Sequence, residues 1–371
     1  MPTDRPAPAR APRRAVLGVI LPLLGAVLSG AGAASAGPAQ WAPFPVFEWT
    51  PPFDMASPRK ERMYVPLDRA ERDWRLCVSF PHLKDAYWLG VNYGLVDEAQ
   101  RLGVGLHLYD AGGYDHLQTQ VRQIEACVAD KASAVIVAGI DADGLNDVLG
   151  RVHAAGIPIV DLVNGVSFAR LDAKSLIDFY DSGFAAGRYI ADRHKGEQRS
   201  ISVLWFPGPK GASWVTRGNQ GFVDALKDSN VKIVETAHGD TGKRTQARLI
   251  QAALERFPHV DYIAGTSVSA EAAVDIVRRK RIAETTRIVA YYFSPGVYRN
   301  IKRGRVLAAP SDLQVIQGRI AVDQAVRILE GRPYLKHVGP RVRVVDQQSL
   351  SDFDPETSLP PVGFNATFDV N

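Results

Sequence analysis

Apolar runs alternate with amphipathic segments along most of the chain. From Trp74 onward, "RLCVSF" is a short apolar run, and "WLGVNYGLVDEAQRLG" then places apolar residues at helical spacing until Gly103. The alternation continues through "VGLHLYD", "LQTQVRQIEACVAD" and "ASAVIVAGI". Short apolar runs separated by helices of this length are typical of parallel β-α-β units. Such units are right-handed, so the pattern predicts a doubly wound parallel sheet.

The alternation restarts after "IDFYDSGFAAGRYIADRHKG", where "SISVLWFPG" is the first strand of a second series. We therefore predict an α/β fold of two doubly wound, Rossmann-like lobes joined by hinge crossovers, with about five strands in each lobe. Residues 74–178 and 313–337 are assigned to lobe 1. Residues 179–312 and 338–371 are assigned to lobe 2 and a C-terminal tail.

The N-terminal region has a different pattern from the two lobes. Residues 1–36 combine several Arg residues, the apolar stretch "AVLGVILPLLGAVLSGAGA" and a small-residue exit "ASA", which indicates a cleaved export signal. An uncleaved membrane anchor is the alternative. Residues 37–73 are rich in Pro and aromatic residues and lack a helical period, so we interpret them as an extended arm or a partner-binding segment. The processed protein is then expected in the periplasm.

Composition narrows the functional classes. The 371 residues are 46% hydrophobic and 23% charged with a formal net charge of +4, and the bases form no run longer than four residues. This balance is that of a globular protein and gives no electrostatic footprint for nucleic acid. In an oxidising compartment the two cysteines, Cys77 and Cys127, could form a disulfide, or both could be buried thiols. Sequence alone leaves both alternatives open.

Enzymatic motifs are incomplete in this chain. "GDTGKRT" lacks the first Gly and the Ser or Thr of a phosphate loop, and "GTSVSA" lacks the last Gly of a nucleophile elbow. No His or Cys pairs occur at metal-ligand spacing, and no catalytic constellation is evident. Of the eight histidines, His82, which follows the strand "RLCVSF", is the one candidate, and a structural hydrogen bond or a solvated side chain is the simpler role for it. We therefore expect a binding protein, without a cofactor or metal, rather than an enzyme.

The segment "PHLKDAYW" concentrates chemistry at one strand-to-helix turn. Asp85, Tyr87 and Trp88 lie where the first core strand of lobe 1 gives way to its helix. In doubly wound lobes ligands bind at the carboxyl ends of the strands, so these residues are candidates for a cleft between the lobes. The alternatives are that the aromatics pack in the core and that Asp85 caps the helix.

Several motifs together resemble the type I periplasmic binding proteins. The order "PHLKDAYW", "GGY", "DFYDSGFAAGR" and "FPGPKGASWVTRGNQGF" is similar to that family from about Trp74 to about Val345. "GPKGASWVTRGNQGF" supports only the fold, because the wider superfamily shares it. "DAYW" is the more specific motif and resembles the TorT group, the periplasmic sensors of trimethylamine N-oxide (TMAO).

The resemblance implies a ligand and a set of site residues. In that group TMAO lies between the lobes in a cage of Trp and Tyr with an acid nearby, and the sensor signals to the membrane histidine kinase TorS. The matching positions in this chain are Asp85, Tyr87, Trp88, Tyr114, Phe179, Trp214, Tyr292 and Asp312. Phe179 is a departure, since the group more usually carries Trp there. Tyr291 should point away from the cleft if the strand alternates.

The chemistry of the implied ligand agrees with these residue types. Aromatic faces attract the positive head of a methylated amine, and an acid such as Asp85 adds charge of the favourable sign. Sugar sites require several Asp, Asn, Arg and Gln side chains instead. A TMAO sensor with a TorS-like kinase as partner is therefore the first functional hypothesis. The alternatives are the solute receptor of an ABC importer for a sugar or small amine, and a secreted hydrolase.

Overall fold

The computed structural model describes residues 41–371, which form two α/β lobes. The strands are β1 (Phe44–Trp49), β2 (Arg59–Tyr64), β3 (Arg75–Phe80), β4 (Gly105–Asp110), β5 (Ala134–Val137), β6 (Ile159–Leu162), β7 (Ala173–Ser175), β8 (Ile201–Phe206), β9 (Val231–Thr236), β10 (Tyr262–Gly265), β11 (Arg287–Ala290), β12 (Ala308–Ser311), β13 (His337–Pro340), β14 (Arg343–Asp346) and β15 (Asp369–Val370). The helices are α1 (Tyr87–Leu102), α2 (Leu117–Ala129), α3 (Asn146–Ala154), α4 (Phe179–Arg193), α5 (Ser213–Leu226), α6 (Lys243–Arg256), α7 (Ser267–Lys280), α8 (Pro295–Lys302) and α9 (Gln314–Leu329). The predicted fold class is confirmed.

The first lobe is built on a nine-stranded sheet in the order β15-β4-β3-β5-β6-β7-β13-β1-β2. The pairs between β4 and β13 are parallel, whereas β15, β1 and β2 are antiparallel additions at the edges. All four residues of β5 are buried. A strand buried on both faces explains the uninterrupted apolar run "AVIV".

The second lobe is built on a six-stranded sheet in the order β14-β12-β11-β10-β8-β9. Its pairs are parallel except for the antiparallel β14 at one edge. Parallel strands with crossover helices place the carboxyl ends of neighbouring strands at one edge of each lobe. The candidate ligand site lies at these ends.

The structure differs from the prediction in the number of strands in the first sheet and in the lobe to which the C-terminal strands belong. The first sheet has nine strands rather than about five, because β1, β2, β7, β13 and β15 are added to a core of β3 to β6. The segment 338–371 was assigned to lobe 2, yet β13 pairs with β7 and β1, and β15 pairs with β4. Only β14 of that segment pairs in the second sheet.

The described part of the arm is extended, as one of the two interpretations has it, and forms a β-hairpin that joins the first sheet. β1 pairs with β13 on one side and with β2 on the other, and Val46 and Trp49 of β1 are buried. Five of the six residues of β2 are exposed, so this edge strand carries no apolar alternation by which the sequence would identify it. The predicted export signal, residues 1–36, lies outside the described residues. Within residues 41–371, no helix has the length and hydropathy needed to cross a membrane.

Close helix packing explains two of the glycine-rich motifs. α4 and α5 lie against each other, and a Cβ atom on Gly183 would lie 1.9 Å from the Gly218 carbonyl oxygen. A Cβ atom on Gly221 would lie 2.0 Å from the Tyr180 carbonyl oxygen. Any larger residue would separate the helices. This packing brings the first turns of α4 and α5, with Phe179 and Trp214, to the same place.

The structure joins the two cysteines, which the sequence left open. Cys77 of β3 and Cys127 of α2 form a disulfide with a Cα–Cα distance of 5.8 Å. Both residues are buried among apolar side chains on the face of the first sheet that α2 and α3 cover. The bond therefore links a central strand to the helix that packs on it, remote in the fold from the strand ends that carry the cleft residues.

Candidate ligand site

A small cavity lies between the lobes at the carboxyl ends of their strands. Seven of the eight residues predicted for the site line it: Asp85, Tyr87, Trp88, Tyr114, Phe179, Trp214 and Tyr292. We call its six aromatic residues, Tyr87, Trp88, Tyr114, Phe179, Trp214 and Tyr292, the aromatic cage, and the space they surround the cage cavity. Asp85 is the one charged side chain among the described residues that line it.

The turn between β3 and α1 supplies one wall of the cage cavity. β3 ends at Phe80, and α1 begins at Tyr87, whose backbone N–H donates to Asp85 Oδ1 over 3.0 Å. Asp85 therefore satisfies one of the free N–H groups at the helix start, as its alternative role as a cap requires. Trp88 packs against Phe80 with ring centroids 4.7 Å apart, so its ring is held in place by the strand below it.

The carboxylate of Asp85 is buried and shared between the lobes. Its Oδ2 accepts a hydrogen bond of 2.7 Å from the Tyr292 hydroxyl of the second lobe. Burial raises the pKa of Asp85 from the ordinary 3.8 to about 6, although the hydrogen bonds from Tyr87 and Tyr292 act in the opposite direction. A cation in the cage cavity would favour the ionised form of this acid and would be attracted by it.

The second lobe contributes the opposite wall from three separate elements. Phe179 and Trp214 lie in the first turns of α4 and α5, with ring centroids 5.8 Å apart, and Tyr292 follows the end of β11. Tyr291 points away from the cavity, as predicted, and its hydroxyl donates to the Pro207 carbonyl oxygen. Trp214 also lies 5.9 Å from the Tyr114 ring of the first lobe, so the two walls meet there.

Asp312 does not line the cage cavity. It follows β12 at a crossover between lobes. Its Oδ2 accepts a hydrogen bond of 2.6 Å from the Tyr87 hydroxyl and another of 2.7 Å from Gln317 Nε2. Burial raises its pKa. Asp312 therefore orients Tyr87 from behind rather than facing the cavity, which corrects its expected place as a direct contact.

Three further lining residues, Val163, Asn164 and Thr241, were not identified from the sequence. Val163 has φ 62°, which is strained for a β-branched residue, and it turns the chain directly after β6. Asn164 Nδ2 donates a hydrogen bond of 2.7 Å to the Gly139 carbonyl oxygen and another of 3.0 Å to the Tyr114 hydroxyl. The sequence feature that could have identified these three residues is their position directly after predicted strands, in "DLVNG" and "AHGDTG".

Polar contacts across the cleft hold the lobes together. Thr241 Oγ1 lies 2.8 Å from His82 Nε2, and Lys84 Nζ lies 2.8 Å from Asp240 Oδ2. Burial, with a smaller contribution from Lys84, lowers the pKa of His82 to about 3, so this histidine is neutral. His82 therefore has the structural role expected for it, and the lobes are in a closed arrangement.

The cage cavity admits only a small ligand. The space open to the centre of a water-sized sphere is about 20 Å³, and a single water needs about 10–15 Å³ of such space. In residues 41–371, no group of three or more His, Cys, Asp or Glu side chains is placed to hold a metal ion. The site offers aromatic faces, one acid and a few hydrogen-bonding groups, which suits recognition of a compact cation or dipole.

Two comparisons of the sequence bear on the family. The "Periplasmic binding protein domain" family matches residues 76–333. The periplasmic protein TorT of Escherichia coli is 37% identical over 300 residues, which cover 81% of this chain and 86% of TorT.

Solved structures are similar over the same region. An ABC transporter solute-binding protein from a Bradyrhizobium species, crystallised with bound Bis-Tris, is 49% identical, with a TM-score of 0.78 over 90% of this chain and 100% of that chain. The crystal structure of the TorS sensor domain–TorT complex in the presence of TMAO is 33% identical, with a TM-score of 0.74 over 80% of this chain and 100% of that chain. The family match, the identity to TorT and the two-lobed structure agree, and this chain belongs to the periplasmic binding protein family.

Proposed function

We propose that this protein is a periplasmic sensor that binds TMAO in the cage cavity and signals to a TorS-like membrane histidine kinase. The single observation that carries the proposal is the arrangement of six aromatic side chains and one buried carboxylate around a cavity of about 20 Å³. Aromatic faces are the usual partners of methylated ammonium groups, and desolvation strengthens the attraction. Asp85 lies on the same cavity and favours a positive head.

The oxygen of TMAO needs a hydrogen-bond donor. The indole Nε1 of Trp214 is buried and donates to no described residue. The Tyr114 hydroxyl accepts from Asn164, so its own hydrogen is available to a ligand. We infer that these two groups, which both line the cage cavity, donate hydrogen bonds to the oxygen of TMAO. Asp85 then lies towards the methylated nitrogen. A buried N–H that gains a partner on binding would contribute to the selection of TMAO over trimethylamine.

The size of the ligand limits the affinity. A ligand of about five heavy atoms gains at most roughly 1.5 kcal/mol per atom, or about 7–8 kcal/mol in total. That ceiling corresponds to a micromolar dissociation constant. The proposed sensor therefore responds to micromolar or higher TMAO and is unsuited to capture at nanomolar concentrations.

The proposed partner is the periplasmic sensor domain of a histidine kinase. TorT forms a complex with the TorS sensor domain both with and without TMAO. We propose that the N-terminal hairpin or a surface of the first lobe contacts the kinase. Co-purification with a TorS-type sensor domain, repeated after deletion of residues 41–64, tests this: persistence of the complex removes the hairpin from the interface.

A second candidate function is the solute receptor of an ABC importer for a small amine or sugar. It is favoured by the 49% identity to the Bradyrhizobium solute-binding protein, whose bound Bis-Tris is a hydroxylated amine. Binding of ribose-like sugars without binding of TMAO would support this alternative. Tight association with a kinase sensor domain would count against it.

Thermal unfolding of the processed chain tests the ligand. TMAO, trimethylamine, betaine, choline and ribose are added separately at equal concentration. TMAO at about a hundred times its dissociation constant should raise the free energy of unfolding by roughly 2.7 kcal/mol. For lobes of this size the midpoint should rise by about 5–10 °C. No shift with TMAO, together with a shift for ribose, would overturn the proposal.

A further inference from the structure

A second, larger cavity adjoins the cage cavity. The two share Val163, Asn164, Phe179 and Trp214 as lining residues. In the second cavity the space open to the centre of a water-sized sphere is about 200 Å³, against about 20 Å³ in the cage cavity. Met55, from the loop between β1 and β2, also lines it, so the N-terminal hairpin contributes to its wall.

The charged side chains that line the two cavities are opposite in sign. Asp85 is the one charged side chain among the described residues that line the cage cavity. Lys174 and Arg217 are the charged side chains among those that line the second cavity, and no described acid is part of its wall. A ligand that extended across the shared wall would meet an acid at one end and two bases at the other.

Arg217 retains donors for an additional acceptor. Its guanidinium pairs with Asp178 through Nε (3.0 Å to Oδ1) and Nη2 (2.5 Å to Oδ2). Among the described contacts, the two N–H groups of Nη1 are not used, and the side chain is 41% exposed. Arg217 therefore offers hydrogen bonds to an anion even though its charge is balanced by Asp178.

Lys174 and the start of α5 add to this preference for an anion. Lys174 Nζ lies 3.0 Å from Asp161 Oδ2 and donates 3.1 Å to the Val166 carbonyl oxygen, which leaves one of its three N–H donors. Ser213, the first residue of α5, lines the second cavity, and no side chain caps this helix. The N-terminal end of a helix carries partial positive charge and free N–H groups.

We propose that the second cavity receives the anionic group of a ligand whose methylated ammonium lies in the aromatic cage. The inference rests on the proposed function of the cage and names a wider ligand class, the trimethylammonium carboxylates. TMAO has the head group alone and occupies only the cage cavity. Phe179 and Trp214 stand between the two cavities with ring centroids 5.8 Å apart, so an extended ligand requires one of these side chains to move aside.

Titration calorimetry with a ligand series tests the proposal. TMAO and choline are compared with trimethylammonium carboxylates that carry one to four methylene groups between the nitrogen and the carboxylate. One member of the series should bind about tenfold more tightly than TMAO and choline, the gain expected for a charge-assisted hydrogen bond. Choline separates the effect of a longer chain from that of the anionic group.

Two variants assign the gain to the second cavity. Arg217→Gln should lower the ratio of carboxylate affinity to TMAO affinity by about tenfold, because the donors of Nη1 are lost. Arg256→Gln is the matched control: Arg256 is also paired with one acid, Glu235, and lines neither cavity. This control should leave the ratio unchanged, and thermal unfolding verifies that both variants are folded.

The outcomes separate this inference from the proposed function. If TMAO binds and no carboxylate binds more tightly, the second cavity has no anion-binding role and the cage proposal stands. If Arg217→Gln lowers the affinities for TMAO and the carboxylates equally, Arg217 acts only through the fold and the inference is overturned. If neither TMAO nor any carboxylate binds, the proposed function fails as well.

Discussion

The two walls of the aromatic cage are built in different ways. Asp85, Tyr87 and Trp88 of the first wall come from a single turn between β3 and α1, and Tyr114 joins them from the segment after β4. Phe179, Trp214 and Tyr292 of the second wall come from three elements that are far apart in the sequence. Most of the first wall is thus determined by local geometry, whereas the second depends on how α4, α5 and β11 pack together.

The difference also concerns charge and closure. The first wall carries the acid, Asp85. The second wall contributes a neutral hydroxyl, because Tyr292 donates a hydrogen bond of 2.7 Å to Asp85. Tyr87 similarly donates to Asp312 at the crossover. Formation of these two bonds requires both walls to be in place, so closure of the lobes completes the site. We expect the first wall to determine the attraction for the ligand head and the second to determine selectivity.

The largest effect is expected from Trp88→Ala in the first wall. Loss of a desolvated cation–π partner worth about 2 kcal/mol should weaken TMAO binding at least about thirtyfold, as measured by titration calorimetry. Trp88 is 2% exposed, so thermal unfolding must show that the variant is folded. Trp88→Phe, which keeps part of the packing and a weaker aromatic face, should show an intermediate loss.

Trp49→Ala is the matched control for this prediction. Trp49 is also 2% exposed but stacks on His337 in the hairpin region and does not line the cage cavity. It should lower stability without a comparable change in affinity. Unchanged affinity in Trp88→Ala, or an equal loss in Trp49→Ala, would show that Trp88 is not a wall of the binding site.

The next effect concerns the acid of the first wall. Because the pKa of Asp85 is raised to about 6, the folded protein holds a proton that the unfolded chain, with a pKa of 3.8, has already released. The stability associated with Asp85 is therefore present below pH 3.8 and is lost as the pH rises through about 6. At 1.36 kcal/mol per pKa unit the loss is about 3 kcal/mol. Asp85→Asn should remove this pH dependence, and the difference between the two unfolding curves measures it.

Binding should follow the opposite dependence on pH. Tetramethylammonium has a fixed positive charge, so its affinity for the native protein should rise about tenfold as Asp85 ionises between pH 5 and pH 7.5. In Asp85→Asn the affinity should stay near the low-pH value. A native protein whose affinity did not change with pH, or a variant that kept the rise, would exclude Asp85 as the group that attracts the ligand head.

A smaller and more selective effect is expected in the second wall from Trp214→Phe. The variant keeps an aromatic face but removes the buried Nε1 donor, so TMAO should bind about three- to tenfold more weakly. Tetramethylammonium, which has no oxygen, should lose only the contribution of the stronger Trp face, about threefold or less, and therefore less affinity than TMAO loses. Trp205→Phe is the control, since Trp205 Nε1 donates 2.9 Å to Asn219 and the residue lies outside the cage cavity. Equal losses for both ligands would contradict the role of Trp214 as donor to the oxygen.

The difference between the walls also explains how much could be predicted from the sequence. The alternation of strands and helices located the strand ends, and the aromatics at those ends proved to line one cavity. Asp312 was placed at the correct crossover, but only the tertiary structure shows that Tyr87 lies between it and the cavity. Asn164 and Thr241 are small polar residues in loops, where their composition does not distinguish a site from a turn.

The edge strands of the first sheet could not be predicted from the sequence, for a different reason. β2 exposes five of its six residues, and β15 has only two residues, so neither shows the alternation of a half-buried strand. Such strands are defined by the backbone partner that they find in the folded protein. The disulfide is similar, because the separation between Cys77 and Cys127 depends on how α2 packs on β3.

The smallest effect is expected from Phe179→Trp, which changes the wall that the two cavities share. A Trp face attracts a methylated ammonium more strongly than Phe, and the larger ring can extend into the second cavity, so TMAO should bind about threefold more tightly. Phe184→Trp on the same helix is the control, because Phe184 is 38% exposed and lines neither cavity. Titration calorimetry of both variants gives the comparison. A lower affinity in Phe179→Trp would mean that the larger ring fills the cage cavity, and the second wall would then select its ligand by volume rather than by its aromatic face.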